Sequence, residues 1–244
     1  MNANPNNSVC ILGHNITYSR SPLIHNHWIA EYGVDSKYGI CDLPAEKLSD
    51  FLSSIRDGKS AGCNVTTPYK QTVIEHLDVI DDVASAIGSV NTIYRRDGLL
   101  RGTSTDGAGY IGHLEAMHPG WQLKGSKVLI LGAGGAARSI AAALVQRGCS
   151  AIYIANRTLE KARDIAGLHP DTIIPVAWDD LQSTTGVVDL LVNTTSLGMV
   201  GRQPLLCPLE TTRSDCIVSD IVYAPLETEL LARARGLGRP VLDG

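Results

Sequence analysis

Several features that mark particular classes of protein are missing from this sequence of 244 residues. No apolar run approaches the roughly 20 residues that cross a bilayer, and the polar start of the chain lacks a signal-peptide pattern. A net charge of −4 gives no basic surface for nucleic acid or for an anionic membrane. These absences predict a soluble, cytoplasmic protein with no nucleic-acid partner and no membrane partner.

The cysteines also lack the spacing of a metal site or of a redox motif. They are scattered along the chain at Cys10, Cys41, Cys63, Cys149, Cys207 and Cys216. We therefore expect small buried side chains in a reducing compartment, and no metal ion.

Aromatic residues are scarce, with one Phe, whereas Gly is abundant, with 24 residues. Many glycines and few large rings are typical of α/β proteins with tight turns. An apolar content of 44% is enough for a hydrophobic core, and the length allows one large or two modest domains.

The most distinctive stretch is an apolar run at residues 128–131 that stops at a glycine cluster. The run predicts a strand buried on both faces, and residues 136–146 predict a helix. Between them the backbone can turn tightly and approach a ligand, and the first N–H groups of the helix can bind a phosphate. The predicted nucleotide-binding turn consists of Gly132, Ala133, Gly134, Gly135 and Ala136.

A second predicted strand, Ala151–Ala155, ends in Asn156, Arg157 and Thr158, where a Rossmann unit contacts the adenosine ribose. An acidic residue there favours NAD, whereas the guanidinium of Arg157 can bind a 2′-phosphate. We therefore predict NADP as the cofactor, with Lys161 one turn further along as a second cation. The alternative is that Arg157 is a solvated charge at a strand end.

The first part of the chain alternates predicted strands and helices. After a strand at Val9–Gly13 comes a polar loop, and Pro22 starts a helix over residues 23–32. Ser21 is placed to cap this helix. Ser19 has no such role, so we expect it to face a ligand.

A strand at Gly62–Val65 leads into a further predicted helix, which has Pro68 in its first turn and ends near residue 77. Thr66 and Lys70 lie four residues apart across the helix start, so both can contact one small molecule. The alternative for Lys70 is an ordinary surface position.

Asp97 and Gly98 predict a hairpin between two short strands. Asp106 follows the hairpin, and spacing alone predicts that it caps a helix over residues 108–117. A later strand, residues 187–192, ends at the kind of edge where parallel sheets bind ligands. The polar residues at that end are Asn193, Thr194, Thr195 and Ser196.

These elements predict an α/β protein with an N-terminal α/β domain and a Rossmann-like doubly wound NADP-binding domain. The expected boundaries are residues 1–106 for the N-terminal domain, 107–118 for a connecting helix, 119–237 for the NADP-binding domain and 238–244 for the start of a return segment.

Eight short stretches, in family order along nearly the whole chain, resemble the shikimate dehydrogenase family. They are YSRSPLIHN at 18–26, NVTTPYK at 64–70, VNT at 90–92, TDG at 105–107, GAGGAA at 132–137, NRT at 156–158, NTTSLGM at 193–199 and DIVYAPL at 220–226.

The resemblance implies an NADP-dependent enzyme that interconverts 3-dehydroshikimate and shikimate, with Lys70 and Asp106 as the catalytic pair. The chemistry fits these residue types. A lysine ammonium can donate a proton to a ketone oxygen and stabilise the developing alkoxide. A neighbouring carboxylate favours the charged lysine.

The resemblance also implies that the N-terminal domain is a substrate domain and that a cleft lies between the two domains. It implies the remaining site residues as well. The substrate would contact Ser19, Ser21, Thr66, Lys70, Asn91, Asp106 and Tyr223. The cofactor would contact the glycine turn, then Asn156, Arg157, Thr158, Lys161, Asn193, Thr194, Thr195, Ser196 and Ile221.

Three departures from the family pattern stand out. Ser104 replaces an asparagine, the third glycine of the nucleotide turn is Ala137, and the family continues beyond Gly244 into a helix with a substrate-binding glutamine. The last departure predicts a truncated chain or a shortened relative. Two alternatives follow, a quinate/shikimate dehydrogenase that uses NAD or both cofactors, and a non-catalytic NADP-binding protein. A monomer and a homodimer are both compatible with the sequence.

Overall fold

The computed structural model describes residues 8–244, which form two compact units. The first unit ends at Thr105, and the second is Asp106–Gly244. Each unit has its own six-stranded sheet. Within the described residues, no helix is long and apolar enough to cross a membrane.

The first unit contains a mixed sheet in the order β2-β1-β3-β5-β6-β4. Strands β1, β2 and β3 are parallel, whereas β5 runs antiparallel to both β3 and β6. Its elements are β1 Val9–Gly13, α1 Ser21–Glu31, β2 Tyr38–Asp42, α2 Leu48–Arg56, β3 Gly62–Val65, β4 Val79–Ile80, α3 Asp82–Ile87, β5 Thr92–Arg96 and β6 Leu99–Thr103.

One face of this sheet forms the core of the first unit. Helix α2 presents Leu48, Leu52 and Ile55 at helical spacing, and these residues pack with Leu12 of β1 and Val65 of β3. Helix α1 has no fully buried residue. The core therefore depends on α2 rather than on α1.

The predicted hairpin is confirmed. Asp97 has φ 56° and Gly98 has φ 78°, so both central residues of the turn have positive φ, as a two-residue type I′ turn requires. The hairpin pairs Thr92 with Thr103, which brings the start of β5 and the end of β6 to the same edge of the sheet.

The predicted helix from Pro68 to about residue 77 is wrong. Residues 67–71 form turns, the Thr67–Pro68 peptide is cis, and a short 3-10 helix covers Thr72–His76. Tertiary contacts hold this segment, since the hydroxyl of Tyr69 donates to the Leu43 carbonyl at 2.7 Å. Such long-range contacts override the local helix signal.

The second unit contains an all-parallel sheet in the order β12-β11-β10-β7-β8-β9. This is the doubly wound order, with the strand sequence reversing between β7 and β10. Its elements are α4 Asp106–Met117, β7 Lys127–Leu131, α5 Gly135–Gln146, β8 Ala151–Ala155, α6 Leu159–Ala166, β9 Ile173–Val176, α7 Leu181–Thr185, β10 Leu190–Asn193, β11 Ile217–Asp220, α8 Glu229–Gly236 and β12 Val241–Leu242.

Strand β7 is buried on both faces, as its apolar run predicts. Val128 and Ile130 belong to one core cluster, and Leu129 and Leu131 belong to the other. Helix α4 packs on α5 within this unit. Strand β12 pairs with β11 and so extends the same sheet.

Candidate active site

The residues predicted to bind substrate in the first unit lie at one edge of its sheet, where β1 and β3 end and the antiparallel β5 begins. Thr66 follows β3, and its N–H donates to the Leu12 carbonyl of β1 at 2.8 Å. The Val90 N–H donates to the Lys70 carbonyl at 2.7 Å, and the Val65 N–H donates to the Asn91 carbonyl at 2.7 Å. These bonds bring the backbones of Thr66, Lys70 and Asn91 together at that edge.

Ser21 does not cap α1, contrary to the sequence prediction. It is the first residue of the helix, and Arg20 occupies the N-cap position. Ser19 has a partner within the protein as well, because its hydroxyl oxygen accepts the Ser21 N–H at 3.3 Å. The Ser19 hydroxyl also donates to the Ser21 hydroxyl at 3.2 Å, so the two side chains form a pair.

Asp42, at the end of β2, anchors the loop that carries these serines. Its carboxylate accepts the Asn15 N–H at 2.8 Å and the Ile16 N–H at 2.9 Å, and His14 Nδ1 lies 3.5 Å away. The hydrogen bond from the Ile16 N–H is the main reason why the pKa of Asp42 is lowered. Asp42 was not among the predicted site residues, although its position at the end of a parallel strand was a usable signal.

The Asp42 carboxylate should make part of the stability acid-sensitive. Its folded-state pKa is lowered and thus lies below the unfolded value of about 3.9. The stabilisation that the Asp42 carboxylate provides is therefore complete at a pH above the unfolded-state pKa, and it is lost as the pH falls through the folded-state pKa. We expect Asp42→Asn to lose less unfolding free energy than wild type between neutral and strongly acidic pH, as measured by urea denaturation. Identical losses would contradict this role.

Asn91 is held by several polar contacts. Its Nδ2 donates to Thr105 Oγ1 at 3.0 Å, and its Oδ1 accepts the Thr105 N–H at 3.0 Å. Thr105 directly precedes Asp106 in the chain. Asp106 itself is the first residue of α4, so the helix begins two residues earlier than predicted. An acidic side chain in the first turn is favourable for a helix, which gives Asp106 a structural role beside any catalytic one.

An open groove of ≈ 550 Å³ lies beside α1, where Ile29, Tyr38 and Tyr94 are among its walls. None of the predicted substrate residues of the first unit lines it. The predicted substrate site therefore does not coincide with this groove.

The glycine turn of the second unit connects β7 to α5. Gly132 has φ 109°, and Gly134 is the N-cap of α5. A Cβ on Gly132 would lie 2.7 Å from Thr194 Oγ1 and 3.0 Å from Thr195 Cγ2. The turn therefore needs glycine at 132, both for its backbone angle and for contact with the loop after β10.

Two glycine substitutions are expected to have different effects, one on folding and the other on binding of the predicted cofactor. We expect Gly132→Ala to lower the unfolding free energy by about 1–3 kcal/mol, because the backbone angle is unfavourable for alanine. Gly134→Ala should leave stability nearly unchanged, since its φ is −96° and an added Cβ meets no atom within 4 Å. It should nevertheless weaken NADP binding, because the methyl group occupies space that a pyrophosphate needs.

Thermal unfolding and NADP titration of the two variants test this distinction. Equal unfolding temperatures for the two variants would contradict the account of Gly132. Unchanged NADP affinity in Gly134→Ala would contradict the account of the turn as a phosphate site.

The predicted adenosine-binding residues lie after β8. Asn156 Nδ2 donates to the Thr158 carbonyl at 2.9 Å, and Thr158 is the N-cap of α6. Arg157 and Lys161 are both exposed. Within residues 8–244 the guanidinium of Arg157 has no hydrogen bond or ion pair, so it can receive an anionic group.

The loop after β10 is organised by a buried carboxylate. Asn193 is fully buried, and its Nδ2 donates to Asp220 Oδ1 at 2.9 Å. Its Oδ1 accepts the Thr195 N–H at 2.9 Å. Asp220 also accepts bonds from the Val222 N–H at 3.0 Å and from the Thr228 hydroxyl at 2.7 Å. Burial is the main cause that raises the pKa of Asp220.

Asp220 was not among the predicted site residues, although its place at the end of a buried parallel strand was again a usable signal. Through its bond to Asn193, Asp220 fixes the start of the loop after β10, which continues to Ser196. Ile221 and Tyr223 come directly after it and are half-buried.

Comparison with known proteins decides the family. Residues 11–93 match the family described as "Shikimate dehydrogenase substrate binding domain", and residues 114–202 match "Shikimate / quinate 5-dehydrogenase". A shikimate dehydrogenase (NADP(+)) from Methylobacterium radiotolerans is 44% identical over 237 residues, with 96% of this chain and 84% of the relative covered. The chain belongs to the shikimate dehydrogenase family.

Solved structures of this family show the same architecture. Shikimate 5-dehydrogenase from Thermus thermophilus, in complex with NADP(H) and shikimate, has a TM-score of 0.86 and 33% identity, and covers 98% of this chain and 87% of that one. Quinate dehydrogenase from Corynebacterium glutamicum, in complex with NAD, has a TM-score of 0.88 and 28% identity, with coverage of 98% and 88%. The fold is thus common to family members with different substrates and cofactors.

Proposed function

We propose that this chain catalyses the reversible reduction of 3-dehydroshikimate to shikimate with NADPH. The observation that carries the proposal is the edge of the first sheet, where backbone hydrogen bonds hold Lys70 beside Asn91. Family membership and the high identity to NADP-dependent relatives support the same activity.

The second unit has residues that fit NADP. Gly132 leaves room at the turn, the N-terminus of α5 offers N–H groups to a phosphate, and Arg157 offers a cation to the 2′-phosphate. The other residues proposed to hold the cofactor are Ala133, Gly134, Gly135, Ala136, Asn156, Thr158, Lys161, Asn193, Thr194, Thr195, Ser196 and Ile221. NADPH, when bound, supplies the hydride.

The first unit supplies most of the polar groups for the substrate. The paired hydroxyls of Ser19 and Ser21 are proposed to donate to the substrate carboxylate. Lys70 is proposed to give a proton to the ketone oxygen and to stabilise negative charge there. Further contacts to the ring and its hydroxyls are assigned to Thr66, Asn91, Asp106 and Tyr223.

Asp106 is proposed to complete the catalytic pair by orienting a substrate hydroxyl. In the reverse direction Lys70 is proposed to accept the proton from the hydroxyl of shikimate.

Arg157 and the serine pair distinguish the proposal from the quinate alternative. A cation after β8 suits a 2′-phosphate and gives no advantage to the free ribose hydroxyls of NAD. The compact pair Ser19 and Ser21 favours shikimate over the bulkier quinate.

Isotope transfer tests the proposed activity and excludes the non-catalytic alternative. The purified chain is incubated with 3-dehydroshikimate and NADPH that carries deuterium at the transferable position. We expect shikimate that contains one deuterium at the former ketone carbon, as shown by mass spectrometry. If the chain binds NADPH but forms no labelled shikimate, the proposed function is wrong.

A cytoplasmic location, and assembly as a monomer or a homodimer, are also part of the proposal. Size-exclusion chromatography with light scattering distinguishes the two assembly states, and a larger oligomer would contradict both.

A further inference from the structure

Tyr38 is a buried tyrosine whose hydroxyl lies beside the two serines, Ser19 and Ser21, that are proposed to bind the substrate carboxylate. It is the first residue of β2 and is 3% exposed. Its hydroxyl donates to Asn64 Oδ1 at 2.7 Å, and the Ser21 hydroxyl lies near enough to interact with it. Because Tyr38 gives its proton to Asn64, a hydrogen bond between Ser21 and Tyr38 has Ser21 as its donor.

The position of Tyr38 is fixed on several sides. The ring of His25 stacks on it with centroids 4.1 Å apart and planes at 16°. The side chain of Asn26 donates to the Tyr38 carbonyl at 2.9 Å and accepts its N–H at 2.9 Å. His25 Nδ1 is also within 2.9 Å of the Ser21 carbonyl. Helix α1 therefore holds both Ser21 and the tyrosine beside it.

The hydrogen bonds of Tyr38 continue in one direction to the other substrate residues. Asn64 Nδ2 donates to Thr92 Oγ1 at 3.0 Å, and Thr92 Oγ1 donates to Asn91 Oδ1 at 3.0 Å. At the other end, Ser19 donates to Ser21 at 3.2 Å. This series of polar contacts thus connects the serine pair, through Tyr38 and Asn64, to Asn91.

We propose that Tyr38 is a positioning residue for substrate binding, which orients the Ser21 hydroxyl toward the substrate carboxylate. This inference rests on the proposed function. The Tyr38 hydroxyl can donate either to Asn64 or to Ser21. When Ser21 turns its proton to the carboxylate, Tyr38 supplies a proton to the Ser21 oxygen, so that this oxygen keeps a partner and Ser21 becomes a stronger donor.

Burial raises the pKa of Tyr38, so its hydroxyl keeps its proton over the working pH range. A neutral phenol adds no negative charge beside the carboxylate. The residue is therefore suited to support an anionic substrate that a second anion would repel.

Tyr38→Phe tests the proposal because it removes only the hydroxyl and keeps the ring on His25. We expect the KM for shikimate to rise about 3–10-fold, as the loss of one hydrogen bond predicts. The kcat should change less than the KM, and the KM for NADP should stay the same. Tyr94→Phe is the control, since it also removes one tyrosine hydroxyl from the same unit, but from an exposed side chain of β5.

A double-mutant cycle with Ser21→Ala shows whether Tyr38 acts through Ser21. We expect Tyr38→Phe to add little to the KM of Ser21→Ala, because the group that it orients is absent. Equal effects of Tyr38→Phe in both backgrounds would overturn the proposal. A wild-type KM in Tyr38→Phe would also overturn it, as would a Tyr38→Phe variant that does not fold when Tyr94→Phe does. Absence of turnover in wild type would instead overturn the proposed function.

Discussion

Lys70→Ala is expected to lower kcat for shikimate oxidation by about 10²–10⁴-fold, the range typical of a lost general acid–base group. The affinity for NADP should not change, because the residues proposed to bind the cofactor belong to the second unit. The fold should also persist, since the structure holds position 70 through its backbone carbonyl, which accepts the Val90 N–H at 2.7 Å. Steady-state kinetics and NADP titration measure the two quantities.

Lys59→Ala is the matched control for Lys70. It is an exposed lysine of the same unit, paired at 3.7 Å with Asp57, and its removal should leave kcat unchanged. A Lys70→Ala variant with nearly wild-type kcat would show that Lys70 does not transfer the proton. Loss of NADP binding in that variant would contradict the division of roles between the units.

Arg157→Ala is expected to raise the KM for NADP about 10–100-fold and to change the KM for NAD far less. A hydrogen bond to a charged group contributes about 1.5–3 kcal/mol, and only NADP has the 2′-phosphate. The guanidinium is exposed, so its loss should not affect folding. Initial rates with each cofactor at saturating shikimate measure the effect.

Arg163→Ala serves as the control for Arg157, because Arg163 lies on the neighbouring helix α6 and pairs with Glu160. Both KM values should stay at the wild-type level in this variant. Equal increases for NADP and NAD in Arg157→Ala would contradict the account of cofactor choice.

Local sequence signals were sufficient for much of the fold. The run at residues 128–131 and its glycine turn predicted a strand, a turn and a helix that the structure contains. Asp97 and Gly98 fixed a hairpin because they tolerate positive φ. In such stretches the residues that determine the structure are neighbours in sequence.

Contacts between distant segments could not be predicted in the same way. The bond from Tyr38 to Asn64 and the bond from Ile16 to Asp42 each join residues 26 positions apart. The turn at residues 67–71 replaced a predicted helix because of such contacts, and no local pattern reported them. The first unit was therefore predicted less completely than the glycine turn of the second.

The most direct test of the account is the initial rate of NADPH formation by the purified wild-type chain with shikimate and NADP. Shikimate is then replaced by quinate, and NADP by NAD, so that kcat/KM is obtained for all four combinations of substrate and cofactor. We predict the highest kcat/KM for shikimate with NADP. No turnover in any combination, by a chain that still binds NADP, would contradict the account, as would a higher kcat/KM for quinate with NAD.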